Sequence, residues 1–223
     1  MLLFFWLEKC LIFPREIFYT YQLLGEYGIM NNPQLIHMSG NIVINKGGRS
    51  IDFSLFTPDF DVNPQFFNDC DIESVQANAV ITIENLTSYH DYLFYKAEHK
   101  LNEIVLYLGG YHNYGRRLIL NKLKNFIAAS NLSVPFYHWG DIDLHGLYIW
   151  KHLRDKTRID FQPLYMDASS YLRHLDKGNP ITKTDLTQME SLLDQEEFAV
   201  FHELICQMLN HRKKIEQEAI ILK

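Results

Sequence analysis

The sequence predicts an α/β fold in which helices flank a parallel β-sheet. From Asn78 onward, four short apolar runs alternate with three amphipathic stretches of helical length, which is the pattern of consecutive βαβ units. Acidic residues follow the ends of three of these runs and a Gly-Gly pair follows the other, and ligands of parallel sheets gather at the carboxyl ends of the strands. We therefore expect a functional site along that edge of the sheet.

Residues 1–75 predict a small α+β part that precedes the sheet. The turn Lys46-Gly47-Gly48 between two alternating runs is typical of a β-hairpin, and Pro64 lies in a polar stretch that predicts a connecting loop. The abrupt apolar start at Met1 lacks a helix start signal, so we expect this part to be the remnant of a larger DNA-binding region. The predicted helix, the two strands and the loop lie at 15–27, 34–45, 49–56 and 59–71.

Residues 76–223 predict the sheet itself and a helical extension at the carboxyl end. The predicted strands lie at 79–83, 103–108, 134–139 and 159–165, and the helices between them at 87–99, 116–130 and 144–156. Thr184-Asp185 can cap a further helix at 184–193. Apolar residues at helical spacing predict a last helix at 197–222.

The composition limits the possible function classes. The chain has 223 residues, 47% hydrophobic content and a formal net charge of -6. This charge argues against a nucleic-acid binder that works alone, because Lys and Arg make the phosphate contacts. The apolar start is too short to cross a bilayer, so we expect a cytoplasmic protein with no membrane partner. Cys10, Cys70 and Cys206 have neither disulfide nor zinc-ligand spacing.

Two acidic residues, Asp141 and Asp143, stand where the third apolar run ends. Strand side chains alternate between faces, so we expect both carboxylates on the same side. Like charges held together in an apolar stretch are relieved by a bound cation or a shared proton. The alternative is a pair of turn acids, one of which caps a helix that starts near Leu144.

Other chemical motifs are weaker. His138, His145 and His152 recur every seven residues, but the first lies on a predicted strand and the others on a helix, so no zinc site is indicated. The glycine spacing before Arg116-Arg117 is that of a phosphate-binding loop, although these arginines stand where lysine and a hydroxyl residue are required. We expect a flexible turn there, with both arginines near phosphates.

Three segments together resemble a known fold. They are Ile-Thr-Ile-Glu-Asn, which ends at Asn85, a glycine turn after the second strand, and Asp-x-Asp after the third. This arrangement resembles the TOPRIM fold, a Rossmann-like metal-binding domain of type IA and type II topoisomerases, primases and several nucleases.

A narrower resemblance covers residues 77–220. Trp-Gly-Asp-Ile-Asp-x-His-Gly, the Tyr-Met-Asp that ends at Asp167 and a late Ile-Glu-Gln-Glu resemble the carboxy-terminal domain of Wadjet protein D. Members of that family are the nuclease subunits of a bacterial anti-plasmid system, and they are related to the topoisomerase VI A subunit.

The resemblance implies an endonuclease that cuts double-stranded plasmid DNA with Mg²⁺, for which Mn²⁺ can substitute. It also implies a homodimer and SMC-like ATPase subunits as partners. The implied catalytic metal ligands are Glu84, Asp141 and Asp143. Weaker candidates, for a second metal, are Asp167 and Glu218. The implied DNA contacts are His145, Arg116 and Arg117. Glu84 is implied as a ligand, a proton carrier or both.

Alternatives stay open at several of these positions. Glu84 could simply lie near a helix start, where the helix dipole favours an acid, and Asp167 could cap the helix that follows it. Glu216 and Glu218 are two positions apart, so at most one faces the site if their segment is helical. His145 could equally pack half-buried at a helix start.

Two other functions also stay open. A topoisomerase VI A-like strand transferase would need a nucleophilic tyrosine ahead of the sheet domain. Tyr19 and Tyr21 lie in that half of the chain, but nothing around them marks a nucleophile. A scaffold that binds DNA or partners without cutting is the non-enzymatic alternative.

Overall fold

A six-stranded β-sheet lies at the centre of the computed structural model, which describes residues 35–222. The strands are β1 (Ile36–Ser39), β2 (Asn41–Lys46), β3 (Arg49–Asp52), β4 (Phe60–Val62), β5 (Cys70–Gln76), β6 (Ala79–Ile83), β7 (Glu103–Tyr107), β8 (Phe136–Trp139), β9 (Phe161–Pro163), β10 (Asn179–Pro180) and β11 (Lys213–Lys214). The central sheet has the order β4-β1-β7-β6-β8-β9. Strands β7, β6, β8 and β9 run parallel, whereas β1 pairs antiparallel with both β7 and β4. The α/β prediction is confirmed as a mostly parallel sheet flanked by helices, and the TOPRIM-specific fold stays a prediction.

The helices between the parallel strands lie close to their predicted positions. They are α1 (Leu86–Glu98), α2 (Tyr114–Ala129) and α3 (Leu144–Thr157). Helices α4 (Ala168–Arg173), α5 (Lys183–Leu192) and α6 (His202–His211) follow β9. Asn113 accepts a hydrogen bond from the Arg116 backbone N–H and so caps α2. Helix α1 packs against β6 and β7, and α3 packs against β9. Large buried side chains such as Trp139 and Trp150 fill the space between the layers.

The predicted β-hairpin is confirmed, but its first strand is divided in two. β2 and β3 pair antiparallel around Gly47 and Gly48, which have φ angles of 60° and 79°. The predicted strand at 34–45 breaks at Gly40, whose φ is 130°. A Cβ atom at Gly40 would lie 2.7 Å from the Glu103 carbonyl oxygen. β1 therefore joins the central sheet, while β2 lies in a separate sheet with β3 and β5.

The loop predicted at 59–71 is wrong in part. Phe60 and Val62 are buried and form the edge strand β4, because they alternate with exposed residues in the strand pattern. A 3₁₀ helix follows at Pro64–Asp69, capped by the side chain of Asn63. The division of the chain at residue 75 stays a prediction. The predicted helix at 15–27, together with Tyr19, Tyr21 and Cys10, lies outside the described residues.

The single helix predicted at 197–222 is wrong, since only α6 (His202–His211) is α-helical there. A 3₁₀ helix (Glu196–Phe201) precedes α6, and strand β11 and a second 3₁₀ helix (Gln217–Ala219) follow it. Arg212 adopts the left-handed conformation with φ 54° and ends α6. Ile215 is fully buried and exchanges two backbone hydrogen bonds with Ile142. These tertiary contacts hold the segment in an extended form that local helix propensity does not favour.

Within residues 35–222, every helix is too short or too polar to span a bilayer.

Candidate functional site

The carboxyl ends of β6 and β8 bring two acidic residues to one edge of the sheet. Ile83 pairs with Trp139 at the end of these parallel strands. The Glu84 backbone N–H then donates to the Trp139 carbonyl oxygen over 3.0 Å. Glu84 follows β6 directly, and Asp141 follows β8 after a single glycine. The sheet register therefore places the two carboxyl groups side by side, as the sequence predicted.

Glu84 is a buried acid that lies against the backbone of the next strand end. Only 8% of the residue is exposed, and its Oε2 accepts a hydrogen bond from the Asp141 N–H at 3.4 Å. Burial raises the pKa of Glu84 to about 7, and the neighbouring charges of Asp141, Asp143 and Glu218 add to the rise. This carboxyl can gain or lose a proton near neutral pH.

Gly140 allows the close approach of Glu84. A Cβ atom at this position would lie 2.5 Å from Glu84 Oε2 and 3.0 Å from His138 Nε2. Real Cβ atoms do not tolerate contacts this short, so a larger residue at position 140 would displace the Glu84 carboxyl group. The glycine in Trp-Gly-Asp is therefore part of the site and not only of a turn.

Asp141 is held by two donors on the same oxygen. Its Oδ1 accepts from the Gln217 backbone N–H at 2.7 Å and from Asn85 Nδ2 at 3.1 Å. Burial raises the pKa of Asp141 to about 6, against the opposing effect of the Gln217 hydrogen bond. Asn85 Nδ2 also lies 3.3 Å from Glu218 Oε2. Asn85 thus links the Glu84 strand end to both other acids.

Glu84, which is buried, and Asp141, which is half-buried, each keep one oxygen without a protein donor. Within residues 35–222, no donor bonds to Glu84 Oε1 or to Asp141 Oδ2. Two acids held together in a partly desolvated place repel each other unless a cation or a proton compensates them. The pair therefore has the chemistry of a site for a divalent cation or a shared proton.

Asp143 has a different role from Asp141. Its Oδ1 accepts from the Gly146 N–H at 2.8 Å and caps α3, and its Oδ2 lies 3.5 Å from Lys214 Nζ. The capping alternative therefore describes its present contacts. Within the described chain, no three His, Cys, Asp or Glu side chains form a group that could hold a metal ion. The role of Asp143 as a ligand stays a prediction.

Comparison with known proteins gives the family. A family model described as "Wadjet protein JetD, C-terminal" matches residues 40–223 of this chain. The chain belongs to this family. The Wadjet protein JetD of Bacillus cereus (strain Q1) is 28% identical over 200 residues, which cover 90% of this chain and 47% of that protein. The chain thus spans about half the length of this relative. The relation to TOPRIM proteins and topoisomerase VI stays a prediction.

Asp167 caps the helix α4, which follows it. Its two carboxylate oxygens accept from the backbone N–H and the hydroxyl of Ser170, both at 2.8 Å. Asp167 is not among the charges that raise the pKa of Glu84 or Asp141. The structure therefore groups Glu84 with Asp141, Asp143 and Glu218, and it gives Asp167 contacts that belong to α4.

The three predicted DNA contacts have unequal surroundings. Arg116 is buried, its Nε donates to the Tyr107 carbonyl oxygen at 3.1 Å, and its guanidinium lies over the Tyr107 ring. These contacts hold α2 against β7, and the DNA contact of Arg116 stays a prediction. Arg117 is half-buried and donates to the His112 carbonyl oxygen at 3.1 Å. His145 is exposed in the first turn of α3 and is free to meet a ligand.

Two residues beside the acids, Gln217 and Lys214, were not predicted from the sequence. Gln217 is fully buried and contacts both strand ends. Lys214 Nζ lies 2.7 Å from Glu216 Oε1 and also near Asp143, so it is a cation at the margin of the acidic site. The Ile-Glu-Gln-Glu motif is the available signal for Gln217, and the adjoining charge run at 211–214 is the signal for Lys214. A helix over this segment predicts no contact between either side chain and the two strand ends.

Proposed function

We propose that this chain is the catalytic part of a Mg²⁺-dependent endonuclease that cuts double-stranded DNA in a Wadjet-like plasmid defence system. Membership of the JetD C-terminal family and the name of the Bacillus cereus relative support the defence role. The observation that carries the chemistry is the pair of neighbouring acids, the buried Glu84 and the half-buried Asp141, each with one oxygen held by the protein and one without a protein donor among the described residues.

The residues present fit a magnesium ion. Mg²⁺ prefers oxygen ligands, keeps several waters and is often held by one or two carboxylates together with substrate phosphates. Glu84 and Asp141 supply two such carboxylates, and their raised pKa values reflect burial and negative neighbours, which a cation would relieve. Asp143 and Glu218 would add negative charge near the ion and are the candidates for further ligands, and Mn²⁺ would substitute because it also prefers oxygen ligands.

When bound, the metal would supply Lewis-acid stabilisation of the charge that develops on the phosphoryl oxygens. The chain's own residues would do the rest. Glu84 would act as a ligand of the ion, as the group that accepts a proton from a water, or as both. Asn85 and Gln217 would keep Asp141 in place through their two hydrogen bonds. Lys214 and the exposed His145 would contact the DNA phosphates beside the acids.

The proposed partners rest on the family resemblance, which implies SMC-like ATPase subunits. The net charge of -6 disfavours DNA binding by this chain alone, so such subunits would help to bring it to DNA. Two copies as a homodimer would let each site cut one strand of the duplex.

Plasmid cleavage by a matched pair of variants tests the proposed function. Asp141→Asn should reduce Mn²⁺- or Mg²⁺-dependent cutting at least about 100-fold, since it removes a charge in the reacting site. Asp160→Asn is the control, because Asp160 is exposed and pairs with Arg154 on the surface. The assay is run on the folded chain with and without the ATPase subunits.

Three results would contradict the proposal in different ways. Equal cutting by Asp141→Asn and the wild type would remove the site assignment. A covalent protein–DNA adduct that survives denaturation would favour the tyrosine strand transferase. DNA binding with no cutting, under conditions in which the ATPase subunits are active, would favour the non-catalytic scaffold.

A further inference from the structure

The Gln217 side chain joins the ends of two neighbouring strands. Its Nε2 donates to the Trp139 carbonyl oxygen at 2.7 Å, and its Oε1 accepts from the Asn85 backbone N–H at 2.8 Å. Trp139 is the last residue of β8, and Asn85 comes two residues after the end of β6. The primary amide thus continues the pairing of β6 and β8 beyond the point where the backbones separate.

The main chain of the same residue fixes Asp141. The Gln217 N–H donates to Asp141 Oδ1 at 2.7 Å, the shorter of the two hydrogen bonds on that oxygen. Gln217 is fully buried, so water does not compete for these contacts. One residue therefore controls the separation of the two strand ends and the orientation of one carboxyl group.

Few side chains could replace glutamine here. The position needs a donor and an acceptor on one side chain of this length. Methionine has the length but neither group, and asparagine has both groups but is one methylene shorter. Glutamate would lose the donor to Trp139 and bring another negative charge beside Glu84 and Asp141, which already repel each other.

The extended segment at 213–215 places Gln217 beside the two acids. Ile142 and Ile215 exchange backbone hydrogen bonds of 2.9 and 3.1 Å. Tyr171 donates to the Lys213 carbonyl oxygen at 3.0 Å and anchors the preceding residues. The segment is thus fastened at two points outside the acidic site, which allows its anchoring to be separated from the contacts of Gln217.

We infer that Gln217 is a positioning residue of the carboxylate site. It holds the ends of β6 and β8 together and fixes one oxygen of Asp141, so that the other oxygen and Glu84 are presented together to a divalent cation. The part that concerns the cation rests on the proposed function. Residues of this kind, which orient metal ligands through hydrogen bonds, typically change metal affinity by about 10–100-fold when they are replaced.

The test compares Mn²⁺ binding by calorimetry in the whole chain without DNA. Gln217→Met should weaken Mn²⁺ binding about 10–100-fold. Gln217→Asn should weaken it in the same direction, and it provides the answer if the methionine variant does not fold. Tyr171→Phe is the matched control, since it loosens the same segment without touching the acids, and it should bind Mn²⁺ within about twofold of the wild type.

Amide hydrogen exchange at Asn85 gives a second readout that needs no metal. Gln217→Met should speed exchange at Asn85, because its N–H loses its acceptor, and Tyr171→Phe should leave it unchanged. Wild-type Mn²⁺ affinity or wild-type exchange at Asn85 in folded Gln217→Met would overturn the inference, as would an equal loss of affinity in Tyr171→Phe. If the wild type binds no Mn²⁺ with or without DNA, the proposed function fails together with the part on the cation, and exchange at Asn85 alone decides whether Gln217 joins the strands.

Discussion

Removing the Glu84 carboxyl group should change how stability depends on pH. The unfolded chain loses this proton near the ordinary value of 4.5, whereas the folded protein keeps it until about pH 7. Between these values the folded state binds more protons, so stability falls as pH rises. Each pKa unit corresponds to about 1.4 kcal/mol, so the wild type should lose about 3 kcal/mol from this group between pH 4.5 and pH 8.

Glu84→Gln keeps the shape of the side chain but removes its titration. Its free energy of unfolding should therefore exceed that of the wild type by an amount that grows to about 3 kcal/mol at pH 8. Urea unfolding at pH 4.5 and pH 8 measures both values. Glu190→Gln, on an exposed position of α5, is the control and should follow the wild type. Parallel stability curves for Glu84→Gln and the wild type would refute the assignment of a buried acid at this position.

Three further variants test other parts of the site. Gly140→Ala should reduce metal-dependent cutting at least about tenfold, because its Cβ would lie 2.5 Å from Glu84 Oε2; undiminished cutting would argue that Glu84 has no fixed place. Asp167→Ala should destabilise the protein by about 1 kcal/mol through loss of a helix cap and leave Mn²⁺ affinity unchanged, and a loss of Mn²⁺ affinity would make Asp167 a ligand. Arg116→Gln should lower the urea midpoint, since the contacts with Tyr107 are buried, while a reduced salt dependence of DNA binding would instead place Arg116 on the DNA.

The parallel part of the fold could be predicted from local pattern. Each βαβ unit has a short apolar run followed by an amphipathic stretch, so the helices α1, α2 and α3 were expected close to their observed bounds. The meeting of Glu84 and Asp141 followed from the same pattern, because parallel neighbours end at one edge. Both results depend on residues that are close in sequence to the strands that place them.

The predictions that failed concern segments whose structure depends on contacts between residues far apart in the sequence. The segment after Arg212 has helical composition, but its bridge to Ile142 and the burial of Ile215 override that propensity. Gln217 could therefore not be assigned, since its partners lie more than seventy residues away in the chain. The break at Gly40 was missed for a similar reason, as it reflects the close approach of β7.

The different contacts of the two aspartates were only partly predictable from the sequence. Alternation along a strand predicted that Asp141 and Asp143 point to the same side, and a helix cap near Leu144 was the alternative for one of them. The strand ends at Trp139, so the alternation does not extend to either acid. Gly146 then approaches the chain so closely that a Cβ atom there would lie 2.1 Å from the Asp141 carbonyl oxygen. In this close turn Asp143 accepts the hydrogen bond that caps α3, while Asp141 lies beside Glu84.

A crystal of the protein soaked in Mn²⁺ tests the central claim most directly. Anomalous scattering would locate the ion independently of any assumption about its ligands. We predict a peak at the carboxyl edge of β6 and β8, at about the 2.0–2.2 Å expected for oxygen ligands from Glu84 Oε1 and Asp141 Oδ2. An ordered site with no peak between these two oxygens, in crystals where Mn²⁺ binds elsewhere, would contradict the account.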